Sequence, residues 1–135
     1  FEIGKALILQ EGTDVSIFAT GHLVWEAVEA AQALEKEGLS VELINIHTIK
    51  PLDNESILRS VAKTKCVVTA EEHQIAGGMG ESIAQLLAVN HPVPMEFVAV
   101  NDKFGESGKP ADLMKKYGLH SSDIIKATHR VLKRK

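Results

Sequence analysis

The central unit of this sequence is residues 65–87, KCVVTAEEHQIAGGMGESIAQLL. Its first part, Lys65–Ala70, is almost entirely apolar or β-branched, which predicts a strand covered on both faces. A glycine-rich loop follows, and then the apolar residues Ile83, Leu86 and Leu87 recur at helical spacing. The stretch therefore predicts a buried strand, a tight loop and an amphipathic helix in succession.

The same alternation extends to both ends of the chain. The predicted strands are Ala6–Leu9, Asp14–Thr20, Val41–Ile46, Lys65–Ala70 and Met95–Val100. The predicted helices are Leu23–Glu37, one capped by Asp53, one opened by the glycines at 77–80, a short one at Pro110 and a last one capped by Ser121. The first two strands are too close together for a crossover helix, so one strand is expected to be antiparallel to the rest. We predict a single domain over residues 1–135: a three-layer α/β/α sandwich whose mostly parallel five-stranded sheet has one antiparallel strand.

Length and composition exclude several functional classes. Fifteen Lys and Arg against eighteen Asp and Glu give a net charge of −3, which does not favour a nucleic-acid-binding surface. A single cysteine, Cys66, excludes an intramolecular disulfide framework, and no apolar run approaches the roughly 20 residues of a membrane span. We expect a cytoplasmic protein that binds neither nucleic acid nor membrane. Because the sequence begins with Phe1, we also expect it to be a fragment of a longer chain.

Three of the six histidines follow predicted strands, where the carboxyl ends of parallel strands form one edge of the sheet. They are His22, His47 and His73. One interpretation is a zinc or iron site built from these side chains and a carboxylate. Their spacing matches no local metal motif, so hydrogen bonding across the edge or across a subunit boundary is the favoured interpretation, and no metal ligand is assigned.

The glycine loop allows two interpretations. Gly77, Gly78 and Gly80 permit close backbone approach, and the helix after them offers free N–H groups to a small anion. Alternatively, the loop is a tight return that lets the helix pack close to the sheet. Since no Gly-Lys-Ser/Thr follows and the loop comes after the fourth strand, neither a P-loop nor a dinucleotide fingerprint is present.

A second loop, Phe104-Gly105-Glu106-Ser107-Gly108, carries polar side chains between two glycines. Its order does not match the Gly-x-Ser-x-Gly elbow of serine hydrolases. Glu106 could serve acid–base chemistry, although a single exposed carboxylate is usually solvated.

Four stretches give the sequence a family resemblance. They are Thr20-Gly21 before the first helix, residues 46–53 (IHTIKPLD), Glu71-Glu72-His73 with Gly77-Gly78-x-Gly80, and the Phe104–Gly108 loop with Tyr117-Gly118-Leu119. Together they resemble the C-terminal domain of transketolase-type thiamine diphosphate enzymes, over roughly Gly4 to Leu132. The superfamily includes transketolase, deoxyxylulose-phosphate synthase and the decarboxylase component of 2-oxo acid dehydrogenases. The last stretch is most similar to transketolase, especially its split form encoded as two sections.

The resemblance implies a structural and assembly domain that is inactive alone. In such enzymes thiamine diphosphate and magnesium lie between a diphosphate-binding and a pyrimidine-binding domain, which are the expected partners in a homodimeric assembly. The parent reaction would transfer a two-carbon ketol unit between sugar phosphates, as in pentose phosphate metabolism, with thiamine as the carbanion carrier. No catalytic or cofactor-binding residue is assigned to this chain. The expected edge or interface residues are His22, His47, Glu71, Glu72, His73, Gly77, Gly78, Gly80, Phe104, Glu106 and Ser107.

Two alternatives stay open. The chain could be the same domain of deoxyxylulose-phosphate synthase or of a 2-oxo acid dehydrogenase component. It could also be a free-standing α/β module that binds a small anion at the loop of residues 77–80.

Overall fold

The computed structural model describes residues 4–47, 51–74, 78–100 and 119–135. Along the chain the elements are β1 (Leu7–Gln10), β2 (Val15–Ala19), α1 (Leu23–Lys36), β3 (Val41–Asn45), α2 (Asn54–Thr64), β4 (Val67–Gln74), α3 (Met79–Asn90), β5 (Met95–Val100) and α4 (Ser121–Lys133). The strand order is β1-β3-β2-β4-β5, with β1 antiparallel to β3 and the other neighbours parallel. The predicted fold class, including its one antiparallel strand, is confirmed.

Helices cover both faces of the sheet because successive side chains of the central strands point in opposite directions. In β4, Val67 packs with α2 and α3, whereas Val68 and Ala70 pack with α1 and α4. The core on the α1 side includes Ile17, Leu23, Leu34, Leu43, Ile124 and Val131, and the core on the α3 side includes Phe18, Ile44, Ile57, Val61, Ile83 and Leu87. Within the described ranges, no helix combines the length and apolarity needed to cross a bilayer.

Two predicted boundaries are wrong, and each has a physical reason. The fourth strand was expected at Lys65–Ala70, but Lys65 ends α2 in the left-handed conformation (φ 62°), and the strand runs from Val67 to Gln74. It continues past Ala70 because β5 still pairs with it at Gln74, across a bulge. Ser121 was expected to cap the last helix, but His120 occupies that position and Ser121 is already helical. The short helix expected at Pro110 lies outside the described residues.

Asp53 caps α2 as predicted, and it also holds the start of the chain. Its carboxylate accepts hydrogen bonds from Ser56 N at 3.2 Å and from Ala6 N at 2.8 Å. Burial opposes the charged form of this side chain, but the hydrogen bonds from Ala6 and Ser56 outweigh it and lower the pKa of Asp53. One local cap therefore also fixes the segment that leads into β1.

Glu42 on β3 is a second buried carboxylate, with 1% of its surface exposed. It accepts hydrogen bonds from Lys63 Nζ on α2 and from Gly12 N before β2. Burial works against ionisation, but hydrogen bonds from Lys63, Ser60 and Gly12 outweigh it, so the pKa of Glu42 is lowered. The charged form of Glu42 is thus the one that the fold stabilises.

We predict that the free energy of unfolding decreases as the pH falls from about 5 to 3. A carboxylate with a lowered pKa stabilises the fold above its unfolded pKa of about 4.3, and this contribution is lost as the pH falls through the lower folded value. Glu42→Gln should cost about 1.5–3 kcal/mol at pH 7 and make stability less dependent on acid pH. Urea unfolding at several pH values measures both effects, and equal pH slopes for the variant and the wild type would contradict the assignment.

Candidate functional site

The carboxyl edge of the parallel strands contains the point where the strand order reverses. From β2 the chain crosses through α1 to β3 on one side, and from β3 it crosses back through α2 to β4 on the other side of β2. The carboxyl ends of β2 and β4 are therefore neighbours, with Ala19 paired to Ala70. In open α/β sheets, ligands bind in the crevice at such a point.

Glu71 lies at this point, on the face of the sheet that α3 covers. Its side chain is fully buried in the second half of β4, just past the point where β2 ends, and its two oxygens accept hydrogen bonds from Met79 N at 2.7 Å and Gly80 N at 2.6 Å. Backbone N–H groups in the first turn of a helix have no partner within the helix, and the helix dipole favours a negative charge there. The carboxylate of Glu71 therefore caps α3 from a strand instead of from the residue before the helix.

Glu72 serves α1 in the same way on the opposite face of the sheet. Its Oε1 accepts a hydrogen bond from His22 N at 2.7 Å, across fifty residues of sequence. The preceding Gly21 has φ +61°, and a Cβ atom there would lie 2.8 Å from the same oxygen. The turn after β2 thus favours a glycine for its left-handed backbone conformation.

Gly80 lets α3 pack directly against the sheet. A Cβ atom at this position would lie 2.7 Å from Thr69 Oγ1, 2.8 Å from Phe97 Cδ1 and 3.0 Å from Glu71 Oε2. The close packing of the helix on the sheet that the sequence predicts is therefore confirmed at Gly80. Gly78 is the N-cap residue of α3, with an extended backbone.

The remaining helices also begin at acidic groups. Asp53 caps α2, as described above. At the start of α4, Asp123 accepts a hydrogen bond from His120 N, and Glu26 on α1 accepts one from Ser121 N at 2.9 Å. The sequence analysis missed Glu26, because its partner is 95 residues away and only the packing of α4 on α1 brings the two together.

The small-anion interpretation of the glycine loop is not supported by this geometry. The N–H groups of Met79 and Gly80, which an anion would need, already donate to Glu71. The N–H of His22 donates to Glu72 in the same way. Two carboxylates at the reversal point would also repel an added phosphate. These three N–H groups are therefore already engaged and are not available to a diphosphate group.

The candidate residues differ in how far the structure brings them together. The exposed His22 lies at the start of α1 beside Glu72, and the half-buried His47 lies two residues beyond β3. His73 belongs to β4, but its side chain is outside the description, as are Gly77, Phe104, Glu106 and Ser107. In the part of the chain that the structure describes, no three His, Cys, Asp or Glu side chains are grouped as a metal site would need.

Comparison with known proteins gives a consistent result. Residues 4–124 match the family described as the C-terminal domain of transketolase. The whole chain is 47% identical to the 6-deoxy-6-sulfo-D-fructose transketolase subunit SqwH of Clostridium sp. (strain MSTE9), and it covers 42% of that protein. It is 38% identical to 1-deoxy-D-xylulose-5-phosphate synthase 1 of Geobacter sulfurreducens, over 96% of this chain and 21% of that protein.

A solved structure agrees closely with this fold. It is described as a split gene transketolase, inactive beta4 tetramer, and it superposes with a TM-score of 0.95 at 42% identity. The match covers all of this chain and 44% of that one. This chain therefore spans about two fifths of the length of the transketolase relatives that it matches.

We predict that Glu71→Gln lowers the free energy of unfolding by about 1–3 kcal/mol. The neutral amide has one acceptor oxygen, so it cannot accept hydrogen bonds from both helix N–H groups as the two carboxylate oxygens do. Glu72→Gln is the matched control. Its side chain is exposed, so it should cost about 0.5 kcal/mol. Urea denaturation of both variants tests this difference. An equal decrease in the free energy of unfolding would show that the burial of Glu71 does not strengthen its hydrogen bonds to α3.

We also predict that Gly80→Ala is destabilising by about 1–3 kcal/mol, because the new methyl group would overlap Thr69 and Phe97. The direction of the stability change is informative, since glycine to alanine at an exposed position inside a helix is stabilising by about 1 kcal/mol. The double variant Gly80→Ala/Thr69→Ala should recover part of the loss. A Gly80→Ala variant with an unchanged or raised Tm would contradict the close packing.

Proposed function

This chain belongs to the transketolase C-terminal domain family, and we propose that it is the structural and assembly domain of a split transketolase, inactive by itself. The observation that carries the proposal is the pair of carboxylates at the reversal point. Glu71 and Glu72 accept hydrogen bonds at the helix N-termini that a phosphate-bearing ligand would use. Such an edge suits contact with another polypeptide better than capture of a cofactor.

In the proposed assembly, other domains or another subunit bind thiamine diphosphate and magnesium. That cofactor supplies the carbanion chemistry of ketol transfer when it is bound. This domain contributes by supporting the pyrimidine-binding region and by helping to form a homodimer, in the cytoplasm. The edge residues His22, His47 and His73, with the loop Phe104-Gly105-Glu106-Ser107, are proposed to face the substrate channel or the neighbouring domain.

The parent substrate is proposed to be a ketose with an anionic group, from which a two-carbon ketol unit is moved to an aldose. A sugar phosphate is the expected donor. The relative with 47% identity is named for 6-deoxy-6-sulfo-D-fructose, so a sulfonated ketose is a second donor to test.

A second candidate function is the same domain in a deoxyxylulose-phosphate synthase. The observation that favours it is the 38% identity to the Geobacter sulfurreducens enzyme. The product separates the two, because a synthase would form 1-deoxy-D-xylulose 5-phosphate, whereas ketol transfer would lengthen the aldose acceptor by a two-carbon ketol unit.

We expect ketol transfer only when this chain is mixed with the cofactor-binding polypeptide from the same source. The assay contains thiamine diphosphate, magnesium, a phosphorylated or sulfonated ketose donor and an aldose acceptor. This chain alone and the other polypeptide alone are the controls, and each should be at least about a hundredfold less active than the mixture, since activity would need the assembled interface. Full activity of the cofactor-binding polypeptide alone would contradict the assembly role, and activity of this chain alone would contradict the proposed function itself.

A further inference from the structure

Strand β1 presents apolar side chains that the described part of the domain leaves open. Leu7 is 52% exposed, and Ile8 and Leu9 are each 42% exposed. Because successive residues of a strand point to opposite faces, both faces of β1 are apolar and accessible. A strand that faces water on one side would instead alternate apolar and polar residues.

The backbone of β1 is available as well. β1 is the first strand in the order β1-β3-β2-β4-β5, so in the described sheet only one of its edges is paired, with β3. No charge or proline interrupts residues 7–10, although the strand has only four residues and is bulged between Ile8 and Gln10, so the apolar side chains contribute more to binding here than backbone pairing does. An edge of this kind suits an added strand or an apolar surface from a partner.

The domain holds this edge in a fixed position. At its start, Ala6 N donates to Asp53 at 2.8 Å. At its end, Gln10 Nε2 donates to Val41 O at 2.9 Å and to Glu35 Oε1 at 2.8 Å. Because the edge is already ordered, a partner that binds it does not have to meet the entropy cost of ordering it.

The position of β1 indicates which partner covers it. The matched family is a C-terminal domain, so in a longer member the remaining polypeptide precedes it, and in the SqwH relative the matched region is 42% of the protein. β1 is the first element of the domain and lies three residues after the start of the family match at residue 4. It also begins at the carboxyl edge, because it is antiparallel to β3 and Leu7 pairs with Asn45 at the end of that strand. The preceding polypeptide of a longer member therefore reaches the domain beside the apolar start of β1.

We propose that β1, through Leu7, Ile8 and Leu9, is the docking surface for the cofactor-binding part of the enzyme. This inference rests on the proposed function and adds the apolar border strand β1 to the carboxyl edge as a contact surface. The partner contributes apolar side chains. A partner strand that pairs with the free edge of β1 would add backbone hydrogen bonds to these apolar contacts. Leu7 and Ile8, which pair with consecutive residues of β3, point to opposite faces of the sheet, so the partner meets apolar side chains on both faces.

The test compares Leu7→Lys with Val89→Lys. Val89 lies in the last turn of α3 and is 83% exposed, so its variant makes the same chemical change away from β1. Each variant is mixed with the cofactor-binding polypeptide. Complex formation is measured by calorimetric titration, and ketol transfer is measured at saturating thiamine diphosphate. We expect Leu7→Lys to weaken binding at least tenfold with an unchanged Tm, and Val89→Lys to behave as the wild type.

A second variant keeps the test decisive. If Leu7→Lys does not fold, Ile8→Thr takes its place, because threonine keeps the β-branched shape that suits a strand. Wild-type binding by a folded β1 variant would overturn the docking surface while leaving the proposed function intact. A wild-type chain that neither binds nor activates the cofactor-binding polypeptide would overturn the proposed function and the docking surface together.

Self-association is the other informative outcome. Light scattering of the chain alone over a range of concentrations would detect a dimer. A dimer that Leu7→Lys abolishes, and that the cofactor-binding polypeptide does not dissociate, would mean that β1 binds a second copy, and the proposal would be wrong.

Discussion

The buried carboxylate of Glu71 is the contact on which the architecture of this domain depends. A fully buried charge is tolerated only where hydrogen bonds compensate for its lost hydration, and here two backbone N–H groups of α3 do so at 2.6–2.7 Å. To place both N–H groups there, α3 must begin directly beside the end of β4. Gly80 satisfies that requirement, because any larger residue would separate the helix from the sheet.

Glu72 makes the corresponding contact on the other face of the sheet. Since neighbouring residues of a strand point in opposite directions, two consecutive glutamates of β4, just past the end of β2, cap one helix on each side. This one strand therefore positions the N-termini of α3 and α1, which lie on opposite faces of the sheet. Residues Glu71–Gln74 extend beyond the end of β2, which stops opposite Ala70, and this overhang gives Glu72 its reach to His22.

These contacts show how the helix N-termini of a topology common among nucleotide-binding proteins can be satisfied from within the chain. At such reversal points, phosphates are bound by helix N-termini and their backbone N–H groups. In this domain Glu71 and Glu72 provide that negative charge from within the chain. Three consecutive exposed apolar side chains, Leu7, Ile8 and Leu9, lie instead on β1 at the border of the described sheet. Fold and site thus have to be argued separately.

The sequence by itself determined the features that depend on near neighbours. Hydrophobic periodicity gave the alternation of strands and helices, the short first connection required an antiparallel strand, and Asp53 was identifiable as a cap because its partner Ser56 is three residues away. Only the tertiary structure decided which face each glutamate of β4 serves and that Glu26 meets Ser121 across 95 residues. The continuation of β4 past Ala70 was also decided there, since the strand is extended by pairing with β5. Local pattern specifies an element, whereas the partner of a side chain depends on strand order, bulges and helix packing, which arise only when distant segments meet.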